Sequence, residues 1–179
     1  GQQNKPDAWK NLSFDELKEA VHKYTYDVLY RLKSMDCAPD MVQIGNEIRS
    51  GMLFPDGAVP QYRQLAALVN EGIRAVRELL PETKVMIHLD QGGRYNCIMP
   101  WFDSMFNAGM LPIDAIGLSF YSFWHGTFMD LKDTMSRLIK LYNLPVYIVE
   151  TAHPWRHCKG EHISKELMET AGLDEGSAE

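Results

Sequence analysis

Cysteine is scarce in this chain: Cys37, Cys97 and Cys158 are the only three in 179 residues, and no CxxC pair occurs. An odd count without paired spacing excludes a disulfide framework and a zinc ribbon, and leaves buried free thiols as the expectation. Clusters of Lys and Arg are missing too, and the formal net charge is -6, so no nucleic-acid partner is expected. No apolar run is long enough to span a bilayer. The first residues lack the charged start and apolar stretch of a signal peptide. The phosphate-binding spacings GxGxxG and GxxxxGK[ST] are absent, and Gln91-Gly92-Gly93-Arg94 does not supply them. GxSxG is absent as well, and Ser119 is followed by bulky Phe120 and Tyr121, which leaves a serine hydrolase poorly supported. There is no internal repeat and no low-complexity segment.

What remains is an ordinary globular composition, with 45% hydrophobic and 23% charged residues, enough for one core. Leu12-Ser13-Phe14-Asp15-Glu16-Leu17 reads as a helix start, with Ser13 and Glu16 as a capping box and Leu12 stapling to Leu17. Leu17, Val21, Tyr24, Val28 and Leu32 then recur at helical spacing as one apolar stripe. A strand from Met41 ends in Gly45-Asn46-Glu47. The loop from Ile48 to Pro60 carries Met52, Leu53 and Phe54, apolar residues expected to pack on the rim or face a ligand. A second helix bears Leu65, Val69, Ile73, Val76 and Leu80, and Pro81 stops it. The strand Lys84 to Leu89 ends at Asp90, and Gln91 to Asn96 is its rim loop. Trp101, Phe102, Met105 and Phe106 form a short third helix closed by Gly109. Pro112 to Tyr121 is a third strand, Leu131 to Tyr142 the stripe of a fourth helix, and Pro145 to Thr151 a fourth strand. The alternation implies a parallel sheet with right-handed crossovers. Four strands do not close a (β/α)8 barrel, so the chain is either a small open α/β domain or a run of consecutive barrel units. Residues 1–179 read as a single piece. Residues 156–179 read as a tail, loop plus one short helix around Ser164 to Thr170.

The chemistry-bearing residues gather at strand ends. Met41-Val42-Gln43-Ile44-Gly45-Asn46-Glu47 and Pro145-Val146-Tyr147-Ile148-Val149-Glu150-Thr151 each carry a carboxylate past an apolar run, where parallel α/β folds build their sites. Two such carboxylates on one rim are what glycoside hydrolysis needs. Asn46 is suited to hold a sugar hydroxyl, and Tyr121, Trp124 and Trp155 are suited to stack on sugar rings. His153, His157 and His162 hint at a metal, but Pro154-Trp155 between them breaks any ligand spacing, so no metal is expected.

Val42-Gln43-Ile44-Gly45-Asn46-Glu47-Ile48, His88-Leu89-Asp90, Ile116 to Tyr121 with Trp124-His125-Gly126, and Val149 to Trp155 together resemble family 53 of the glycoside hydrolases, the arabinogalactan endo-β-1,4-galactanases. Each motif is weak alone; their order and spacing match from about Trp9 to Trp155. The resemblance implies about strands 4–7 of a (β/α)8 TIM barrel, a partial barrel. It makes Glu47 the acid/base and Glu150 the nucleophile of a retaining mechanism. Asn46 would bind the sugar beside the cleaved bond, Tyr121 would orient Glu150, and His88, Asp90, Trp124 and Trp155 would line the cleft. The substrate implied is β-1,4-galactan or arabinogalactan, a pectin side chain, met in a secreted, periplasmic or cell-surface setting. The family's first three strands and its last are absent from this sequence, so a fragment, or one part of a longer or assembled protein, is expected, with the remainder of the barrel as its partner. No Asp-rich loop follows Trp155, so the calcium site of some relatives is not expected, and no cofactor is. The alternative is a non-catalytic carbohydrate-binding remnant of the same fold.

Overall fold

The computed structural model describes residues 3–152. The expectations for Trp155, for His153, His157 and His162, for Cys158 and for the tail lie outside the described residues. In chain order the elements are α1 (Phe14–Ser34), β1 (Met41–Gln43), β2 (Gly51–Met52), β3 (Gly57–Ala58), α2 (Tyr62–Leu79), β4 (Lys84–Leu89), α3 (Tyr95–Asn107), β5 (Ala115–Phe120), α4 (Ser122–His125), α5 (Phe128–Tyr142) and β6 (Val146–Thr151). The main sheet has four strands in the order β1-β4-β5-β6, all parallel. Strands that neighbour one another in the order they occur, each pair joined through helix, are successive units of a barrel; a doubly wound sheet would reverse direction at a switch point. β2 and β3 form a separate antiparallel ribbon in the loop after β1.

Local signals start the helices. Ser13 Oγ accepts from the Glu16 N–H at 3.4 Å while Glu16 Oε2 accepts from the Ser13 N–H at 2.8 Å, the reciprocal bonding of a capping box. Thr127 and Asp130 repeat that box at the start of α5. Helix α3 begins at Tyr95, ahead of the expected start near Trp101, and carries Pro100 inside it. The stretch Tyr95-Asn96 expected in a loop is therefore its first turn.

Alternation along the strands divides the sheet into two faces. Val85, Ile87 and Leu89 of β4 and Ile116 and Leu118 of β5 point toward the helices. They are buried in one cluster with Leu65, Val69 and Ile73 of α2, Ile98, Phe102 and Met105 of α3, and Leu138 of α5. A second, smaller cluster joins Leu17 and Val21 of α1 to Leu68 of α2, with Leu53 packed against it. Met52 packs on the main cluster, so Met52 and Leu53 both help to support the fold. The stripe expected on α1 is only half covered: Leu17 and Val21 are buried, as is Leu29, while Tyr24 is 62% exposed and Val28 40%. Cys37 and Cys97 are exposed free thiols, against the expectation of burial; Cys37 lies in the turn after α1 and Cys97 in the first turn of α3. Among the described residues no helix is long and apolar enough to cross a membrane.

One polar contact ties β4 to β5. Asp114, just before β5, accepts from the Val85 N–H at 2.7 Å and pairs with the Arg77 guanidinium. Burial pushes its carboxyl up, but the hydrogen bonds from Arg77 and Val85 outweigh this and hold it below the ordinary Asp range. A depressed folded value gives stability that is present above the unfolded value and lost as pH falls through the folded one. The pair is about one-third exposed, so solvent screens much of it. Asp114→Ala is expected to cost about 1–2 kcal/mol, chiefly from the orphaned Val85 N–H, read from urea unfolding near neutral pH.

Candidate active site

The other face of the sheet carries Gln43 of β1, Met86 and His88 of β4, and Gly117 and Ser119 of β5, matched across the strands by register. A Cβ at Gly117 would fall 2.9 Å from the Met86 sulfur and 3.3 Å from a Val149 methyl, so this face is closely packed at Gly117. On β6, Gly117 pairs with Tyr147 but Ser119 pairs with Glu150. Three residues of β6 thus answer two of β5, which is a β-bulge. Strict alternation from Tyr147 would have turned Glu150 toward the helices; the extra residue turns it to the Ser119 side.

Glu47 reaches the same place from the opposite edge. It lies four residues beyond the last residue of β1, in the left-handed region at φ 50°, and Gly45 before it is at φ 77°. A non-glycine residue there is strained. The buried Ile48 anchors the turn that follows. The result throws Asn46 and Glu47 over the strand ends.

There the polar groups converge. Ser119 Oγ lies 2.6 Å from Glu47 Oε1 and 2.8 Å from His88 Nε2. His88 Nδ1 lies 3.2 Å from Asn46 Oδ1 and 3.9 Å from Glu150 Oε1. Tyr121 donates its hydroxyl to Glu150 Oε2 at 3.1 Å. One ligand atom from each of Glu47, His88 and Glu150 falls within 4.8 Å of the others, so the three are close enough to share a cation. Each already has hydrogen-bonding partners, so the arrangement needs no ion to satisfy it. Burial holds the His88 imidazole below its ordinary value, against the pull of Glu150, Glu47 and Asp90. Burial, then the bond to Glu150, raises the Tyr121 phenol, which keeps it a donor at neutral pH.

Two residues expected to line the cleft have their polar atoms engaged within the protein. His88 has no exposed surface and both its ring nitrogens are engaged, so it backs the site from beneath. Asp90 accepts two bonds from Arg49, at 2.8 Å from Nε and 3.0 Å from Nη2, so its carboxylate is committed to holding that guanidinium at the rim. Trp124 is 51% exposed, packed edge-on against Tyr121, and its carbonyl accepts from Arg94. The glycines Gly92 and Gly93 are explained by close approach: a Cβ on either would fall 2.8 Å from the Ser119 carbonyl or 2.0 Å from that of His125.

Arg49 and Ser119 are the groups that the strand-end motifs alone did not single out as part of the site. For Ser119 a signal existed: Gly117, Ser119 and Tyr121 alternate with Ile116, Leu118 and Phe120, small or polar against apolar. For Arg49 none did.

The model of the family described as "Glycosyl hydrolase family 53" matches residues 1–177. An "Uncharacterized protein in bgaB 5'region" of Niallia circulans is 46% identical over 159 residues, covering 84% of this chain and 43% of that protein. An "Arabinogalactan endo-beta-1,4-galactanase" of Thermothelomyces thermophilus is 31% identical over 159 residues, 85% of this chain and 48% of its own length. Among solved structures, the "Ignisphaera aggregans GH53 catalytic domain" superposes with a TM-score of 0.88 at 37% identity, over 96% of this chain and 48% of that one. The chain thus spans about half the length of the curated relatives it matches.

Proposed function

The chain belongs to glycosyl hydrolase family 53 as part of a (β/α)8 barrel, and from that premise we propose that it carries the catalytic pair of a retaining endo-β-1,4-galactanase. The observation that carries the reading is the spacing of Glu47 and Glu150, whose carboxylate oxygens approach within 4.8 Å. Retaining enzymes hold their carboxyls at about 5–5.5 Å, and inverting ones leave about 6.5–9.5 Å for a water.

Glu150, held by the Tyr121 hydroxyl, attacks the anomeric carbon. The bond to the leaving oxygen breaks, and that oxygen takes the proton of Glu47. The galactosyl group is now an ester of Glu150. Glu47, ionised, then takes a proton from a water whose oxygen displaces Glu150, and both carboxyls return to their starting state. Asn46 Oδ1 is taken up by Gln43 and His88, so its amide NH2 is the group it offers a sugar hydroxyl. Trp124, and Trp155 by its place in the sequence, supply ring faces for stacking. The substrate class, β-1,4-galactan or arabinogalactan, follows the activity for which the relatives are named. A polymer of that kind is met outside the cell, which supports a secreted or cell-surface setting.

The test is reducing-sugar release from galactan by a closed barrel carrying this sequence, with the anomer of the first product followed by NMR. Release with the β anomer appearing first is expected. An α anomer first would make the mechanism inverting, and galactan binding without release would favour a non-catalytic remnant.

A further inference from the structure

The hydrogen bonds beneath Glu47 form a chain whose direction can be worked out from its far end. Gln43 Nε2 lies 2.9 Å from the Gly45 carbonyl oxygen and 3.2 Å from Asn46 Oδ1. A carbonyl only accepts, so the nitrogen end of the Gln43 amide is fixed there. Its other hydrogen then goes to Asn46, which fixes the oxygen end of the Asn46 amide toward it. That same Oδ1 is 3.2 Å from His88 Nδ1, and Glu150 Oε1 stands 3.9 Å from that nitrogen. Nδ1 therefore faces two acceptors and must carry the hydrogen. His88 is completely buried and kept neutral by that burial, so its Nε2 is bare and needs a donor. The neighbour at 2.8 Å is the Ser119 hydroxyl.

We propose that Ser119 is a reversible relay for Glu47, and that the anchored row Gln43–Asn46–His88 biases it toward the protonated carboxyl. Ser119 has one hydrogen and two neighbours that compete for it. With Glu47 ionised, the hydroxyl donates to Oε1, and His88 Nε2 loses its donor. With Glu47 protonated, the carboxyl donates to Ser119 Oγ, Ser119 donates to Nε2, and Nδ1–H donates to Asn46. Every polar atom of the row is then satisfied without a charge on His88. The row rewards the protonated form of Glu47 that must enter the first step of the reaction proposed above. In that step the carboxyl hydrogen swings from Ser119 Oγ to the leaving oxygen. As the proton leaves, Ser119 turns its own hydrogen back to Glu47 Oε1. Ser119, His88 and Gln43 act on the reaction through Glu47, so they are positioning residues. This inference goes beyond the two-carboxylate reading and rests on it for its kinetic arm alone.

The charged and titratable groups that face Glu47 are Arg49 on its own turn, His88 and Asp90 from the β4 end, Tyr121 and His125 from the β5–α4 turn, and Glu150 from β6. Arg49 is common to wild type and variants and is held by Asp90, so the comparison isolates the relay. The first measurement needs no turnover: 15N NMR of His88 in the closed barrel should show a neutral ring with hydrogen on Nδ1 and a bare Nε2. Gln43→Leu, which frees the Asn46 amide to rotate, should lose that exclusive tautomer. A neutral Nε2–H ring or an imidazolium in the wild type would overturn the proposal. The second is kinetic. Ser119→Ala should lose at least about tenfold in kcat/KM on the alkaline side of the optimum and less than about threefold on the acid side, with Ser119→Thr restoring the profile. A uniform loss across pH, as a purely structural serine would give, or a loss confined to acid pH would sink the relay. Wild-type inactivity on galactan, with the Nδ1–H ring observed, would instead count against the galactanase reading and leave the relay standing.

Discussion

Glu150→Ala is expected to abolish retaining hydrolysis, with a loss of at least about 10⁴-fold, because the variant loses the carboxylate that forms the glycosyl ester. Azide added to this variant occupies the space left by the carboxylate and attacks in a single displacement, so the product is the inverted α-galactosyl azide. Glu47→Ala is expected to behave differently. Its first step needs an acid only when the leaving group is poor, so galactan hydrolysis should fall by about 10²–10⁴-fold. Aryl galactosides with good leaving groups should still load the enzyme. Azide then intercepts the ester on Glu150 and gives β-galactosyl azide. The two variants thus differ in the hand of one product, read by NMR. An α product from the Glu47 variant, or a β product from the Glu150 variant, would reverse the roles. A loss below about tenfold in both would remove the two-carboxylate mechanism itself.

The sequence was legible where its signals are local. Ser13 and Glu16 sit three residues apart, and the bond they make is with each other, so nothing distant was needed to foresee the start of α1. The strands are legible for a similar reason: the run Val85 to Leu89 is apolar but for His88 because it is buried on both faces. What stayed hidden depends on partners far along the chain. That Glu150 faces Ser119 is settled by an unpaired residue in β6, and register cannot be counted from one strand. The α1 stripe shows the converse limit. Periodicity finds an apolar face, but whether Tyr24 and Val28 are covered depends on what packs there. Arg49 and Asp90 are 41 residues apart, and an arginine after Asn-Glu looks like any surface charge. His88 was legible as a polar residue near a strand end but not as a buried one, because its partners Asn46, Ser119 and Glu150 come from three other parts of the chain.

Residues 1–179 taken alone are expected to turn over galactan at least about a hundredfold more slowly than a closed barrel carrying the same residues, and to self-associate. Among the described residues nothing pairs with the outer edge of β1 or of β6. Beside β1 runs an open groove of about 570 Å³ lined by Trp9, Tyr24, Val28, Val42 and Leu53. On the edge strand β6, Tyr147 is an exposed apolar residue. In a (β/α)8 barrel both flanks are covered by the adjoining units. Left bare, unpaired edges and apolar faces invite another chain. The consequence reaches the chemistry because Glu47 and Glu150 approach the site from β1 and β6, the two free edges. Glu47 is held through a strand of three residues and a strained turn, so any splaying of the sheet widens the gap between the carboxyls. A misplacement of about 1 Å costs on the order of 10² in rate. Light scattering alongside kcat, with and without the complementary half of a barrel, measures both effects. A monodisperse monomer with the turnover of the closed barrel would show that the edges do not govern the spacing of the pair.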